Sequence, residues 1–202
     1  MKKSTYKLAL YGIMLAVIFV AMMLDKLLSL GLPTSTAVFV LLIVFCFCFI
    51  RNEWQTAFFS GLFFGIASFI KALAFGEVYN LNPLVSVLPR MAVGIVAFAV
   101  YKLVLLMQKN YSNLYIKQTV AISIGTFFGL VTNTLLYLTA LNLYQKALGE
   151  EFTALFETIR IVLYTNILPE YLVAILLTPH AVLGCRRAMH WGIEAKLKEI
   201  EQ

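Results

Sequence analysis

An arginine stands inside a long apolar run, in the stretch that begins at Asn82 and ends at Arg90. A guanidinium keeps its proton at any ordinary pH, so its place in an apolar segment requires partners that replace its hydration. Asn82, Ser86 and Arg90 are four residues apart and therefore share one face of a helix. The planar guanidinium can donate two parallel hydrogen bonds to a carboxylate or a phosphate. The stretch predicts one wall of a site for an anionic solute.

Polar residues in two later apolar segments extend the predicted site. Asn133 and Tyr137 are one helical turn apart, and an amide near the middle of a bilayer needs a hydrogen-bond partner. We expect Arg90 to face Asn133 across a solute cavity, with Tyr137 one turn nearer the outside. The predicted solute-binding residues are Arg90, Asn133, Tyr137, Asn82, Tyr79, Ser86 and Asn166.

Three other interpretations of these residues stay open. Arg90 can form a structural ion pair with Glu170, or the two can serve a membrane-embedded enzyme in which Glu170 is the acid and base. The polar groups can also serve only to join helices. No second carboxylate or nucleophile is suitably placed for catalysis, and the sequence contains no phosphate-binding loop, zinc-protease motif or dinucleotide motif. We therefore expect no catalytic residue, and the two histidines predict no metal site.

The composition indicates that most of the chain lies in a lipid bilayer. Hydrophobic residues make up 61% of the 202 residues, charged residues only 13%, and the mean hydropathy is +0.88. A soluble domain of this size could not bury so much apolar surface. The net charge of +6 does not indicate a nucleic-acid partner, because the basic residues cluster near the ends of apolar runs.

Six segments are long enough, at about 20 residues each, to cross a bilayer as helices. The first is interpreted as a retained span, because the chain lacks a clear small-residue cleavage site after it. The sequence predicts an all-α membrane protein, a single six-helix transmembrane bundle over residues 1–202 with a tail from 184 to 202. The predicted spans are Leu8–Leu24, Ser35–Ile50, Thr56–Phe75, Leu84–Leu106, Thr119–Leu143 and Ile159–Leu183.

The distribution of Lys and Arg predicts the orientation. With the N-terminus in the cytoplasm, eleven of the 16 Lys and Arg residues lie on the cytoplasmic side and five on the outer side. Cytoplasmic connections of membrane proteins carry the excess of positive charge. Both termini are therefore predicted to be cytoplasmic, in a multi-pass protein of the cell membrane.

Small residues form a stripe along the first predicted span. Ala9, Gly12 and Ala16 recur at helical spacing, and such a stripe lets another helix approach closely in lipid. Taken alone, the pattern favours packing against a neighbouring span of the same chain.

The six-span layout, this stripe and the motif Asn82-Pro-Leu-Val-Ser-Val-Leu-Pro-Arg90 together resemble the substrate-binding S component of energy-coupling factor (ECF) vitamin transporters. The layout is similar over the whole chain, and the strongest local similarity covers Asn82–Gly94. The family's pattern more often has alanine at the position of Gly12, a small departure that keeps the close approach.

The resemblance implies a subunit that binds a vitamin at its outer face. It also implies that Ala9, Gly12 and Ala16 dock onto a transmembrane coupling protein that works with two ATPases. ATP and Mg²⁺ are then held by those partner subunits, and this chain carries no cofactor and is not an enzyme. The proline-arginine motif is most similar to the pantothenate branch, with Arg90 on the carboxylate. Another vitamin such as cobalamin stays an alternative, because the sequence does not report the volume of the cavity.

Overall fold

The computed structural model of the chain describes residues 3–29, 37–77, 80–108, 113–147 and 168–200. The regular structure within these ranges is helical and contains no strand, which confirms the predicted all-α fold. The helices are α1 (Lys3–Ser29), α2 (Ala37–Ile50), α3 (Trp54–Phe75), α4 (Pro83–Ser86), α5 (Leu88–Met107), α6 (Leu114–Ala147) and α7 (Leu168–Ile200).

Five helical stretches are long and apolar enough to cross a membrane, and α2 adds a shorter one, Val38–Ile50. This agrees with the prediction of a multi-pass membrane protein. The predicted ends differ most at three helices: α1 and α6 extend beyond both ends of the first and fifth predicted spans, and α7 continues past Leu183. The predicted start of the sixth span, Ile159, lies outside the described residues. The tail after that span is rich in Ala, Lys, Glu and Leu, which favour continued helix. The membrane-length stretches are Lys7–Leu27, Trp54–Phe75, Pro83–Met107, Leu114–Ala147 and Tyr171–Met189.

The short helix α2 lies at the centre of the bundle. It contacts α1, α3, α5 and α7. Val44, Phe45, Cys48 and Phe49 are fully buried there. A helix that is apolar on all sides is typical of such a central position, because every face meets protein or lipid. The rings of Phe49 and Tyr101 lie 5.2 Å apart and join this core to α5.

Glycines allow α3 and α5 to approach until their backbones touch. A Cβ atom at Gly61 would lie 2.7 Å from the carbonyl oxygen of Arg90, and one at Gly94 would collide with the carbonyl of Ala57. Helices in membranes associate through this kind of close packing, since lipid offers no hydrophobic driving force between them. The contact fixes the position of Arg90 on the side of α5 that meets α3.

Ion pairs attach both ends of α1 to residues that flank α3. At the end of the bundle that holds Glu53 (the Glu53 end), Lys7 Nζ lies 3.2 Å from Glu53 Oε2. At the opposite end, which holds Asn80 (the Asn80 end), Lys26 Nζ lies 2.7 Å from Glu77 Oε1. Lys71 of α3 and Asp25 of α1 form a further pair at 3.9 Å, with both side chains largely buried. Between these ends much of α1 is exposed.

Candidate solute-binding site

A break between α4 and α5 places Arg90 inside the bundle. Asn82 caps α4, its Oδ1 accepting a hydrogen bond from the backbone N–H of Leu84 at 2.9 Å, and Pro83 occupies the first turn. This is the predicted helix start, since proline tolerates the first turn and lacks the N–H that stays unpaired there. Pro89 cannot donate to the carbonyl of Val85, and the chain restarts as α5 at Leu88.

The freed backbone oxygens hold the Arg90 side chain. Arg90 Nη1 donates to the carbonyl of Ser86 at 2.9 Å and to that of Val85 at 3.2 Å. The guanidinium carbon also lies 4.8 Å from the ring centroid of Tyr137 and 5.7 Å from that of Phe64. Attraction between the cation and these ring faces strengthens where water is excluded. The guanidinium is thus positioned by two carbonyls and two aromatic rings.

Arg90 forms no ion pair at contact distance within the described ranges, although the charge of Glu77 acts on it from further away. No carboxylate lies at ion-pair distance from it there, and its Nε is buried without a hydrogen-bond partner. A buried donor left unpaired costs roughly 1–3 kcal/mol, and more when the group is charged. Such a donor is therefore suited to an anion that is bound from outside the chain.

Arg186 shows what a structural arginine looks like in the same fold. Its Nε donates to the carbonyl of Ile50 at 3.2 Å and its Nη1 to Gln118 Oε1 at 2.9 Å. Its Nη2 donates to the carbonyl of Phe49 and to the hydroxyl of Tyr101. All three nitrogens are used, and the carbonyls at the end of α2 gain partners that the helix cannot supply. By contrast, the Nε of Arg90 has no hydrogen-bond partner among the described residues.

A chain of polar contacts runs from Tyr137 to α1. The Tyr137 hydroxyl donates to Asn80 Oδ1 at 3.0 Å, and Asn80 Nδ2 donates to Glu77 Oε2 at 2.9 Å. Glu77 Oε1 accepts from Lys26 Nζ. Burial tends to raise the pKa of Glu77, but the hydrogen bonds from Lys26 and Asn80 outweigh it and hold the pKa below its ordinary value. Glu77 is therefore charged at neutral pH.

Asn133 lies on α6 one turn from Tyr137, as predicted. Its Oδ1 is buried and accepts no hydrogen bond from the described residues, and the Thr126 hydroxyl oxygen, two turns earlier in the helix, also has no partner among them. An unpaired amide oxygen in an apolar interior is expensive. Asn133 therefore offers an acceptor to a solute that carries a hydroxyl or an N–H group.

The other predicted site residues differ in what they contact. Ser86 is fully buried, and its hydroxyl donates to the backbone carbonyl of Asn80. Asn82 is engaged as the cap of α4. In the structure both side chains form hydrogen bonds with backbone groups of the segment before Arg90. Their contact with a solute stays a prediction. Tyr79, Asn166 and the side chain of Glu170 lie outside what is described, so the Glu170 interpretations also stay predictions.

The small-residue stripe of α1 lies on the surface of the bundle. Ala9, Gly12 and Ala16 are exposed, and a Cβ added at Gly12 would meet no atom of the described residues within 4 Å. The stripe is therefore not packed against another helix of the described chain, and the interpretation as internal packing is wrong. It is free to meet lipid or a partner.

The sequence pattern did not predict three residues of this site, which are Phe64, Asn80 and Glu77. Phe64 is one of many apolar residues in α3, and nothing in its spacing distinguishes it. Asn80 and Glu77 belong to the polar connection before Asn82. Their place in that connection is the sequence feature that could have indicated a role in the site. Comparison of the chain with models of known protein families and with curated protein sequences finds no match.

Proposed function

We propose that this chain is the solute-binding S subunit of an ECF-type importer, with pantothenate as the best candidate for its vitamin. In this proposal the protein lies in the cell membrane with both termini in the cytoplasm. The Asn80 end faces outward, and the vitamin enters from there. The chain itself is not an enzyme, since ATP is hydrolysed by partner subunits.

The observation that carries the proposal is the incomplete coordination of Arg90. A guanidinium with a buried, unpaired Nε and no carboxylate at ion-pair distance in the described part of the chain is suited to an anionic solute. The contrast with the saturated Arg186 supports a binding role over a structural one.

Pantothenate matches the groups that surround Arg90. It has one carboxylate, which Arg90 would hold, together with hydroxyls and an amide in its middle. The unpaired Oδ1 of Asn133 would accept a hydrogen bond from one of those hydroxyl or N–H groups. The rings of Tyr137 and Phe64 would then exclude water from the ion pair, which strengthens it.

The exposed stripe of Ala9, Gly12 and Ala16 is the proposed contact with the transmembrane coupling protein. Gly12→Leu adds bulk where none of the described residues lies within 4 Å of the new Cβ, so it should leave folding and vitamin binding intact. It should abolish uptake in cells that express the ATPase-containing module. Normal uptake by this variant would reject the docking surface.

Thermal-shift measurements on the purified protein across a panel of vitamins, cobalamin included, test the proposal. We expect pantothenate to stabilise the wild type and to have no effect on Arg90→Ala. Arg187→Ala is the matched control, because Arg187 is an exposed arginine that stacks on Tyr115 away from the site. Stabilisation by a different vitamin would keep the S-subunit assignment and replace the ligand. Equal stabilisation of Arg90→Ala and wild type would reject the site.

A further inference from the structure

Four side chains form a continuous bridge, here called the polar bridge, between the Arg90 site and α1. They are Tyr137, Asn80, Glu77 and Lys26, joined by contacts of 3.0, 2.9 and 2.7 Å in that order. The bridge begins on α6, crosses the connection between α3 and α4, and ends on α1. It therefore links the residue that stacks on Arg90 to the helix that carries the exposed small-residue stripe.

We propose that the polar bridge couples occupation of the Arg90 site to the position of α1, with Glu77 as its central link. The inference rests on the proposed function and adds regulation of the same site. An anion bound at Arg90 would fix the Tyr137 ring, and the bridge would in turn hold the Asn80 end of α1. A partner docked on α1 would act on the site in the reverse direction.

The geometry at the Arg90 side makes Tyr137 sensitive to the ligand. The ring lies 4.8 Å from the guanidinium carbon, and an anion that pairs with Arg90 changes the field which attracts the ring. The hydroxyl of the same ring is held by Asn80. Asn80 is fixed in turn, because its backbone carbonyl accepts from Ser86 on the helix that supports Arg90. Fixing of the ring by a bound anion is therefore transmitted to Asn80.

The geometry at the α1 side makes this helix sensitive to Glu77. In the segment of α1 from 19 to 27 only Met22 is buried, so the ion pairs of this segment contribute much of what holds it in place. Lys26 and Glu77 are partly buried, with 27% and 20% of their side-chain surface exposed, which weakens screening of the pair by water. The hydrogen bond from Asn80 and the depressed pKa of Glu77 keep this carboxylate charged and oriented toward Lys26.

Coupling between two sites must act equally in both directions. Loss of the bridge should therefore weaken binding at Arg90 and also loosen α1. Couplings of this kind change affinity by roughly 5- to 150-fold. Because the Lys71–Asp25 pair also holds this end of α1, we expect an effect near the lower limit, about tenfold.

The test compares Glu77→Gln with Glu53→Gln. Both substitutions remove a carboxylate that pairs with a lysine of α1, but Glu53 lies at the opposite end and contacts only Lys7 and Arg51 in the described ion pairs. Pantothenate affinity is measured by calorimetry in detergent, and hydrogen exchange is followed in the segment of α1 from 19 to 27. We expect Glu77→Gln to weaken pantothenate about tenfold and Glu53→Gln to leave it unchanged. Pantothenate should slow exchange in that segment in the wild type and not in Glu77→Gln.

Unchanged affinity in Glu77→Gln would overturn the bridge while leaving the proposed function intact. An equal loss of pantothenate affinity in Glu77→Gln and Glu53→Gln would also overturn it, because loosening α1 at either end would then weaken binding. If pantothenate does not bind the wild type, pantothenate is not the ligand. The polar bridge is then tested by hydrogen exchange in the absence of ligand. Tyr137→Phe removes only the hydroxyl that reaches Asn80, so it should accelerate exchange in α1 from 19 to 27. Exchange as slow as in the wild type would reject the coupling.

Discussion

The guanidinium carbon of Arg90 lies 4.8 Å from the ring centroid of Tyr137, although the two residues belong to different helices, α5 and α6. Phe64 provides a second ring at 5.7 Å. Carbonyl oxygens and ring faces orient the cation without neutralising it. The charge is therefore available to a ligand, and the rings around it limit the access of water.

Substitutions of Tyr137 should separate the contribution of its ring from that of its hydroxyl. Tyr137→Leu removes the ring face that orients Arg90, and we expect pantothenate affinity to fall by about 2 kcal/mol. Tyr137→Phe keeps the ring face and should reduce pantothenate affinity less. Calorimetric titration of both variants checks the order, with Tyr115→Leu as the control because Tyr115 stacks on Arg187 instead. A larger loss in Tyr137→Phe than in Tyr137→Leu would contradict the stacking role.

Gly94→Ala should strongly destabilise the fold. The added methyl group would collide with the backbone carbonyl of Ala57, which cannot rotate away as a flexible side chain can. We expect a loss of about 3 kcal/mol in the free energy of unfolding, measured by denaturation in micelles. Gly12→Ala is the matched control, because its Cβ meets open space and alanine favours helix. A Gly94→Ala variant as stable as Gly12→Ala would contradict the close packing of α3 and α5.

Arg186→Met should destabilise the protein without changing the binding site. It removes the charged donors to the carbonyls of Phe49 and Ile50 at the end of α2, of which the Phe49 carbonyl keeps only the backbone N–H of Asn52. Hydrogen bonds from a charged group contribute about 1.5–3 kcal/mol each, so we expect a loss of at least about 2 kcal/mol. Thermal unfolding checks this, and Arg187→Met should change the midpoint far less. Once folded, the Arg186 variant should bind pantothenate as the wild type does.

Stability should fall as the pH drops below about 4.5, the ordinary pKa of a glutamate here. For both Glu77 and Glu53, burial raises the pKa, but hydrogen bonds and charges from their lysine, arginine or asparagine partners lower it more. A depressed folded-state pKa contributes stability that is present above the unfolded value and lost as the pH falls through the folded one. Unfolding midpoints between pH 7 and 3 measure the loss. The double variant Glu53→Gln, Glu77→Gln should show a smaller decrease, and an identical pH profile would contradict the two ion-pair assignments.

The helical architecture could be predicted because apolar length alone identifies helices that fit a bilayer. The start of α4 was also readable, since Asn82-Pro83 combines a cap residue with a first-turn proline. The helix ends were harder to predict, because α6 and α7 continue past the apolar runs into polar sequence that still favours helix.

The neighbours of Arg90 were only partly predictable. Helical spacing placed Asn133 and Tyr137 on one side of α6, and the structure brings Tyr137 to Arg90. The ring of Phe64 depends on how α3 packs against α5, which follows from the glycine contact and leaves no signal in local spacing. The same holds for Lys71 and Asp25, which are 46 positions apart and pair only after α1 and α3 have packed.

The most direct measurement compares pantothenate with its neutral primary-alcohol analogue, by calorimetry, in the wild type and in Arg90→Ala. If Arg90 holds the carboxylate, the wild type should prefer the acid by about 100-fold, which corresponds to roughly 3 kcal/mol for a desolvated charge pair. In Arg90→Ala the two ligands should bind equally weakly. Equal affinity of the wild type for both, or a preference for the acid that persists in Arg90→Ala, would contradict the assignment of Arg90 as the anion-binding residue.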